Sequence, residues 1–210
     1  MATSATPDTG PRRRLRAPAR RALVSEGGLR VFARTGYTAA SMADIADASG
    51  VTRAVVYDHF SSKKDLYVAV LGEQGALFLG HLETRIVSEG SPRERMRSTM
   101  DAVLAFAEDH PTAWQLLNVN TTHGDAEAEA AWQQAWAERS TRVVDLLTPD
   151  IERLGLTADE VHLDLVVQML MGALTQSVHW WGGRARISRQ AVIEAGMALM
   201  WDGLGHLGAP

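Results

Sequence analysis

Arg53, Val55 and Tyr57 lie within five residues of one another on a segment that reads as a short helix. Those side-chain types can read a nucleic acid. An arginine fork fits guanine O6 and N7 or a phosphate, a valine methyl can meet the methyl of thymine, and a tyrosine hydroxyl can reach a base edge or a phosphate. Arg53 and Tyr57 are four apart, so on a helix they share one face. Asp58 brings an opposing charge that either accepts from cytosine N4 or pairs with Arg53, and the pairing is the outcome expected. Nothing else in the chain has a comparable pattern. The seven histidines show no HExxH spacing, no Ser/His/Asp order accompanies a nucleophile elbow, and no glycine-rich phosphate loop is present, so an enzyme is not expected. No metal site and no cofactor are expected. Cysteine is absent, which excludes disulfides and thiolate metal ligands.

The elements that would position Arg53 and Tyr57 are legible in Ser41–Leu66. Ser41 with Asp44 three residues on is a capping-box pattern that opens a helix. Gly50 stands where a left-handed residue ends that helix. Thr52 can cap a second helix, in which Val56 and Phe60 pack back on Ile45. Two short helices about a tight turn make a helix-turn-helix, whose second helix would lie in a DNA major groove.

Phe32, Gly36-Tyr37, Ile45-Ala46, Gly50-Val51, Val56 to Phe60 and Ser62 to Leu66 together resemble the DNA-binding domain of TetR/AcrR-type regulators. The match spans roughly residues 20 to 70; beyond it only length and helical texture agree. The resemblance implies DNA contact at Ser41, Arg53, Val55, Tyr57, His59 and Lys63. Ser41 would offer its hydroxyl and a helix N-terminus to a phosphate, and Lys63 would meet the backbone. For Tyr57 and His59 a second reading stands beside this one, in which they close the small core.

Net charge is −4, but it is unevenly spread. Residues 1–64 hold 11 of the 21 Lys and Arg and only 5 of the 25 Asp and Glu, a balance of +6 against −10 for the remainder. A basic head on an acidic body suits a DNA-binding module joined to something else. Three segments follow: a disordered arm (1–17), a helix-turn-helix domain (18–64) and a helical effector-binding and dimerisation domain (65–210). The arm's Arg12, Arg13, Arg14 and Arg16 either follow phosphates or merely solvate a tail. No apolar run reaches the roughly 18 residues that span a bilayer, and the arginine-rich start has no apolar core of a secretory signal; no membrane association and a cytoplasmic location are expected.

The fold class expected is all-α. Helix 1 spans about Ala19 to Thr35 and is closed by Gly36, with Gly27 and Gly28 softening its middle. A long helix runs from Lys63 to about Ile86. Ser91-Pro92-Arg93-Glu94 opens another that ends near His110-Pro111. A short segment with Trp114 and Leu117 precedes a polar break, 118–124. Residues 125–147 form a helix stopped by Pro149. A capping box at Thr157–Glu160 opens a broadly apolar helix to Trp181, and Ser188 caps the last one.

Apolar surface on those last two helices suggests a homodimer built as a four-helix bundle across a two-fold axis. Its residues would be Leu165, Met169, Leu170, Ala173, Val192, Ala195, Gly196, Leu199 and Met200. An intramolecular core is the alternative. In a chain with 6% aromatic residues, the bulky groups of the body either fill its core or, as the resemblance also implies, line a cavity for a small apolar or aromatic effector. Candidates are Met100, Leu104, Phe106, Trp114, Trp132, Trp136 and Met169, with His110, Asn118, Gln176 and His179 as polar partners. The function expected is a sequence-specific DNA-binding transcriptional repressor, released from a palindromic operator on double-stranded DNA by the effector. Two other readings stand: a DNA-binding regulator with no small ligand, and a helix-turn-helix protein repurposed for protein interaction.

Overall fold

Helix starts are set by side chains that accept the free amides of a first turn, and the computed structural model shows this at nearly every start it describes. It covers residues 17–86, 89–153, 160–184 and 186–203. The basic arm and the Thr157 capping box lie outside the described residues. Among the described residues the chain forms nine α-helices, one π-helical turn and no strand.

The head comprises α1 (Ala17–Ala39), α2 (Met42–Ser49) and α3 (Arg53–His59). The body comprises α4 (Lys63–Arg85), α5 (Pro92–Asp109), α6 (Pro111–Asn118), α7 (Ala126–Arg153), α8 (Glu160–Trp181) and α9 (Arg189–Met197), which runs into a π-helical turn at Ala198–Asp202. Ser41 and Ser91 form capping boxes with Asp44 and Glu94, and Ser62 and Ser188 accept from Asp65 N and Ala191 N. Each cap contributes on the order of 1 kcal/mol and fixes where its helix begins.

Gly36 adopts φ 79°, ψ 163°, a conformation closed to residues with a Cβ, and interrupts α1. One further turn follows to Ala39. Gly27 has a different use. A Cβ there would fall 2.0 Å from Ser49 Oγ and 3.1 Å from the Ser49 backbone nitrogen, so α1 and α2 meet at the glycine surface. The softening expected of this helix is thus the condition of its packing.

Ile45, Val56 and Phe60 are buried with Val24, Phe32 and Leu66 in the head core, which is continuous with that of the body. Phe32, Tyr37 and Tyr67 form an aromatic cluster with centroids 4.8–6.0 Å apart. In the body, Phe78 of α4 meets Phe106 of α5 edge-on at 5.0 Å and Trp114 of α6 at 6.2 Å. Two expectations are corrected. Helix α7 does not stop at Pro149 but continues to Arg153. A proline loses one N–H, yet its fixed φ is itself helical. Helix α8 is not buried on all its apolar faces: Val167, Met171, Leu174 and Val178 face inward, while Leu165, Val166, Met169 and Trp180 stand exposed.

Candidate functional site

The head presents α3 on a fixed frame. Ser41 Oγ accepts from Asp44 N at 3.2 Å, and the Asp44 carboxylate accepts from Ser41 N at 3.1 Å and from the hydroxyl at 2.6 Å. Those bonds hold the Asp44 carboxyl below its ordinary range. The Ser41 hydroxyl proton is therefore engaged inside the capping box. Gly50, at φ 65°, ψ 31°, donates to Ala46 and Asp47 carbonyls and closes α2. Arg30 of α1 donates to the Ala48 carbonyl at 2.6 Å, adding a cation to the negative end of α2. Thr52 Oγ1 then accepts from Val55 N and starts α3.

On α3 the inward residue is Val56, and Arg53 and Tyr57 face solvent, Tyr57 with 52% of its surface exposed. Val55 and His59 are half-buried. The expected pairing of Asp58 with Arg53 is absent: among the described residues no ion pair joins them, and both are exposed. Five residues apart on a helix, they sit about 140° apart round its axis. Lys63 is half-buried and turned inward. Its Nζ donates to the carbonyls of Tyr37 at 2.9 Å and Ala40 at 3.1 Å, and lies 4.3 Å from the Tyr37 ring centroid. Its charge thus sits at the carbonyl-rich end of α1.

That end also touches the body directly. Tyr37 N donates to Thr121 Oγ1 at 3.1 Å, and Thr38 Oγ1 donates to the carbonyls of Thr121 (3.2 Å) and His123 (3.1 Å). Gly36 makes room, since a Cβ there would lie 3.1 Å from Thr121 Cβ. Burial first, then the nearby Asp125 carboxylate, pushes the Tyr37 phenol up to about 12. Lys64 pairs with Glu127 in the first turn of α7. The loop between α6 and α7, a polar break in the sequence, thus adds a hydrogen-bonded contact to the apolar packing by which body and head meet. Nothing local to Thr121 or Asp125 in the sequence marks a partner more than eighty residues away.

The aromatic and polar candidates of the body fall in three places. Met100, Leu104, Phe106 and Trp114 are core, with His110 half-buried beside Phe106 at the α5–α6 junction, 4.9 Å between ring centroids. Trp132 and Trp136 stack at 5.6 Å on α7 against the C-terminus of α6. There Trp132 Nε1 donates to Leu116 O at 3.4 Å, Asn118 Nδ2 to Trp114 O at 2.9 Å, and Arg139 Nη2 to Leu117 O at 2.7 Å. Met169, Gln176 and His179 are exposed on α8, Met169 by 66%. A groove of about 550 Å³ lies elsewhere, between α4 and α7.

Of the dimerisation candidates, Leu165, Met169, Ala173, Ala195 and Leu199 are exposed, Leu199 by 76%. Leu170 and Met200 are half-buried. Val192 is buried within the chain, and a Cβ on Gly196 would fall 2.2 Å from Met100 Cε, so Gly196 serves the approach of α9 to α5.

Comparison with known proteins agrees with this architecture. The family described as "Bacterial regulatory proteins, tetR family" matches residues 19–70. A curated relative, the HTH-type transcriptional activator FasR of Mycolicibacterium smegmatis, is 28% identical over 177 residues, 84% of this chain and 79% of that protein. The fold matches the fatty acid degradation regulator FadR from Bacillus halodurans with a TM-score of 0.73 at 18% identity, covering 94% of this chain and 98% of that one. It also matches FadR from Bacillus subtilis, solved in complex with stearoyl-CoA, with a TM-score of 0.67 at 17% identity over 82% and 95% of the two chains. Residues 19–70 thus carry the signature of the tetR family on a helical body with the fold of the two FadR structures, and the chain as a whole is similar to TetR-type transcriptional regulators.

Proposed function

We propose that the chain acts in the cytoplasm as a homodimeric repressor, holding a palindromic operator with two heads until a small apolar effector enters the body. The observation that carries this reading is α3, capped at its start and anchored by Val56, with Arg53 and Tyr57 left facing solvent. One such helix reads only a few base pairs. Two heads about 34–36 Å apart read two half-sites and reach a useful affinity. Val55 and His59 would add contacts from the half-buried side of α3. Ser41 would serve through the free amides of the α2 N-terminus, and Lys63 by holding the α1 end against α4.

The exposed apolar residues of α8 and the π-helical turn supply a face that a second copy would cover, giving the heads their spacing. For the effector, support comes from the B. subtilis structure, whose ligand is an acyl-CoA. Such a ligand acts by favouring a head spacing the operator does not match. It needs a difference in affinity between the two states, not tightness alone.

Selection of bound sequences from random duplexes tests the reading. A palindrome with half-sites one helical turn apart is expected, with affinity falling steeply as salt rises. Recovery of no sequence, or an affinity unchanged by Arg53→Ala and Tyr57→Ala, would sink it. The M. smegmatis relative is named an activator, so a reporter driven by the recovered site, read with and without the regulator, assigns the sign of control.

A further inference from the structure

The α4 wall of the groove between α4 and α7 is formed by Gly72, Gly75 and Ala76, with Leu71 and Leu79 beside them; Ala135, Arg139 and Thr141 line the α7 side. Its volume, about 550 Å³, lies in the range of small-molecule sites. The two glycines have no packing reason. A Cβ on either would meet no atom within 4 Å. Each lowers the helix propensity of α4 by about 1 kcal/mol relative to alanine. What they do is keep a space open.

Arg139 is the buried charge in that space, with 7% of its surface exposed. Its polar partners are neutral: the Leu117 carbonyl at 2.7 Å and, more weakly, the Ala135 carbonyl at 3.5 Å, with the guanidinium 5.1 Å from the Trp136 centroid. Among the described residues no carboxylate pairs with it. Burial alone pulls its pKa down to about 10. The other charged groups lining the groove are exposed: Arg142, and Glu138, whose Oε1 already accepts from Gln134 Nε2 at 2.9 Å. The site therefore presents a desolvated cation with spare N–H donors next to an apolar wall. A cationic ligand is repelled there, and a neutral one leaves the charge uncompensated. A carboxylate or phosphate compensates it through two parallel bonds.

We propose that the α4–α7 groove binds a single-chain amphiphile with an anionic end, the Arg139 fork holding the anion while Leu71, Leu79 and the glycine face take the chain. This rests on the reading of the body as effector-responsive and names the effector's class and seat. It also gives a route to the head. The same fork holds the last turn of α6 at Leu117 O, four residues before Thr121, which holds Tyr37. An anion that recruits the fork competes with that carbonyl and loosens the loop on which the head rests.

The test is calorimetric titration of the full chain with tetradecanoate, tetradecanol, tetradecanoyl-CoA and free CoA. The wild type is expected to bind an anionic amphiphile at least about tenfold more tightly than the alcohol. Preference for the free acid identifies the carboxylate as the source; preference for the CoA ester alone identifies its phosphates. Arg139→Gln should bind anion and alcohol alike, and Arg139→Lys should keep part of the preference. Gly75→Leu, which fills the groove without replacing Arg139, should lose all binding and decides the matter if Arg139→Gln fails to fold. Equal affinity for anion and alcohol in the wild type, no binding of either, preference unchanged in Arg139→Gln, or full binding by Gly75→Leu overturns the proposal. Operator binding by the ligand-free wild type is measured in parallel. If it is intact while the ligands fail, the groove alone is refuted; if it is absent, the regulator reading falls as well.

Discussion

Replacing Gly27 by alanine sets two effects of known size against each other. In an exposed helix the change would stabilise the protein by about 1 kcal/mol, because glycine is the poorer helix former. Here the new methyl would stand 2.0 Å from Ser49 Oγ and 3.1 Å from both Ser49 Cβ and Ser49 N. The hydroxyl can rotate away, at the loss of its 2.6 Å bond to the Ile45 carbonyl. The backbone nitrogen cannot yield unless α2 slides along α1. Overpacking of this kind costs about 1–3 kcal/mol. The propensity gain and the lost hydrogen bond roughly cancel, so the expected outcome is a net destabilisation of about 1–3 kcal/mol. At roughly 2–4 °C per kcal/mol for a chain of this size, the melting temperature should drop by several degrees. Urea denaturation followed by circular dichroism, at one fixed protein concentration, reads the effect. Ser49→Ala in the same chain removes the worst contact, so a double-mutant cycle should return a coupling above about 0.5 kcal/mol. Because α2 carries the frame of α3, operator affinity should fall with stability. A Gly27→Ala protein as stable as the wild type, or more so, would refute the claim that the two helices meet at the glycine surface.

The Tyr67 hydroxyl is buried and has no hydrogen-bond partner among the described residues. Tyr67→Phe should therefore stabilise the chain by about 1 kcal/mol in the same denaturation assay, and a loss of that size would mean the hydroxyl is bonded after all. His81 lies with Nε2 3.1 Å from the Ala102 carbonyl, and burial first, then Arg85 and His110, lowers its pKa below the ordinary 6.5 despite Asp109. The unfolded chain takes up that proton first, so this contribution is complete above pH 6.5 and is lost as pH falls toward the folded value. His81→Gln should flatten the decline between pH 7 and 5; an unchanged slope assigns it to other groups. Leu199→Asp places a charge on the most exposed apolar residue of the α8–α9 face, and light scattering should show a shift from dimer to monomer with weakened operator binding.

The head was legible because its determinants are local. Ser41 with Asp44, Gly50, Thr52 and the Val56–Phe60 spacing each act within four residues, and all recur in the structure as caps, a left-handed turn and a buried face. The four-residue logic also gave the Ser91 capping box and the end of α5. Local signals did not tell which way a long side chain turns. Lys63 could as well have faced a phosphate as the carbonyls of Tyr37 and Ala40. Nor did they separate an aromatic of the core, such as Phe106, from a half-buried one, such as Trp136, since the difference lies in neighbours distant in sequence. Arg139 carries a weaker signal in the sequence. It stands three and seven residues after Trp136 and Trp132, so it continues their helical face. An arginine on such a stripe is either stacked and buried or misplaced. Only the packing of α6 on α7 shows which.

The three hydrogen bonds from Tyr37 and Thr38 to the Thr121–His123 loop have a consequence for how such proteins can be recombined. A head cut out at residue 70 takes the Tyr37 amide and the Thr38 hydroxyl but leaves their acceptors behind. It also strands Lys64 from Glu127. The boundary that is short in sequence therefore runs through the middle of a spatial joint. A working graft onto another regulator's body would carry residues 118–127 along with the head, or reproduce a threonine and two carbonyls at the same place. Modules in this architecture are exchangeable as joints, not as segments.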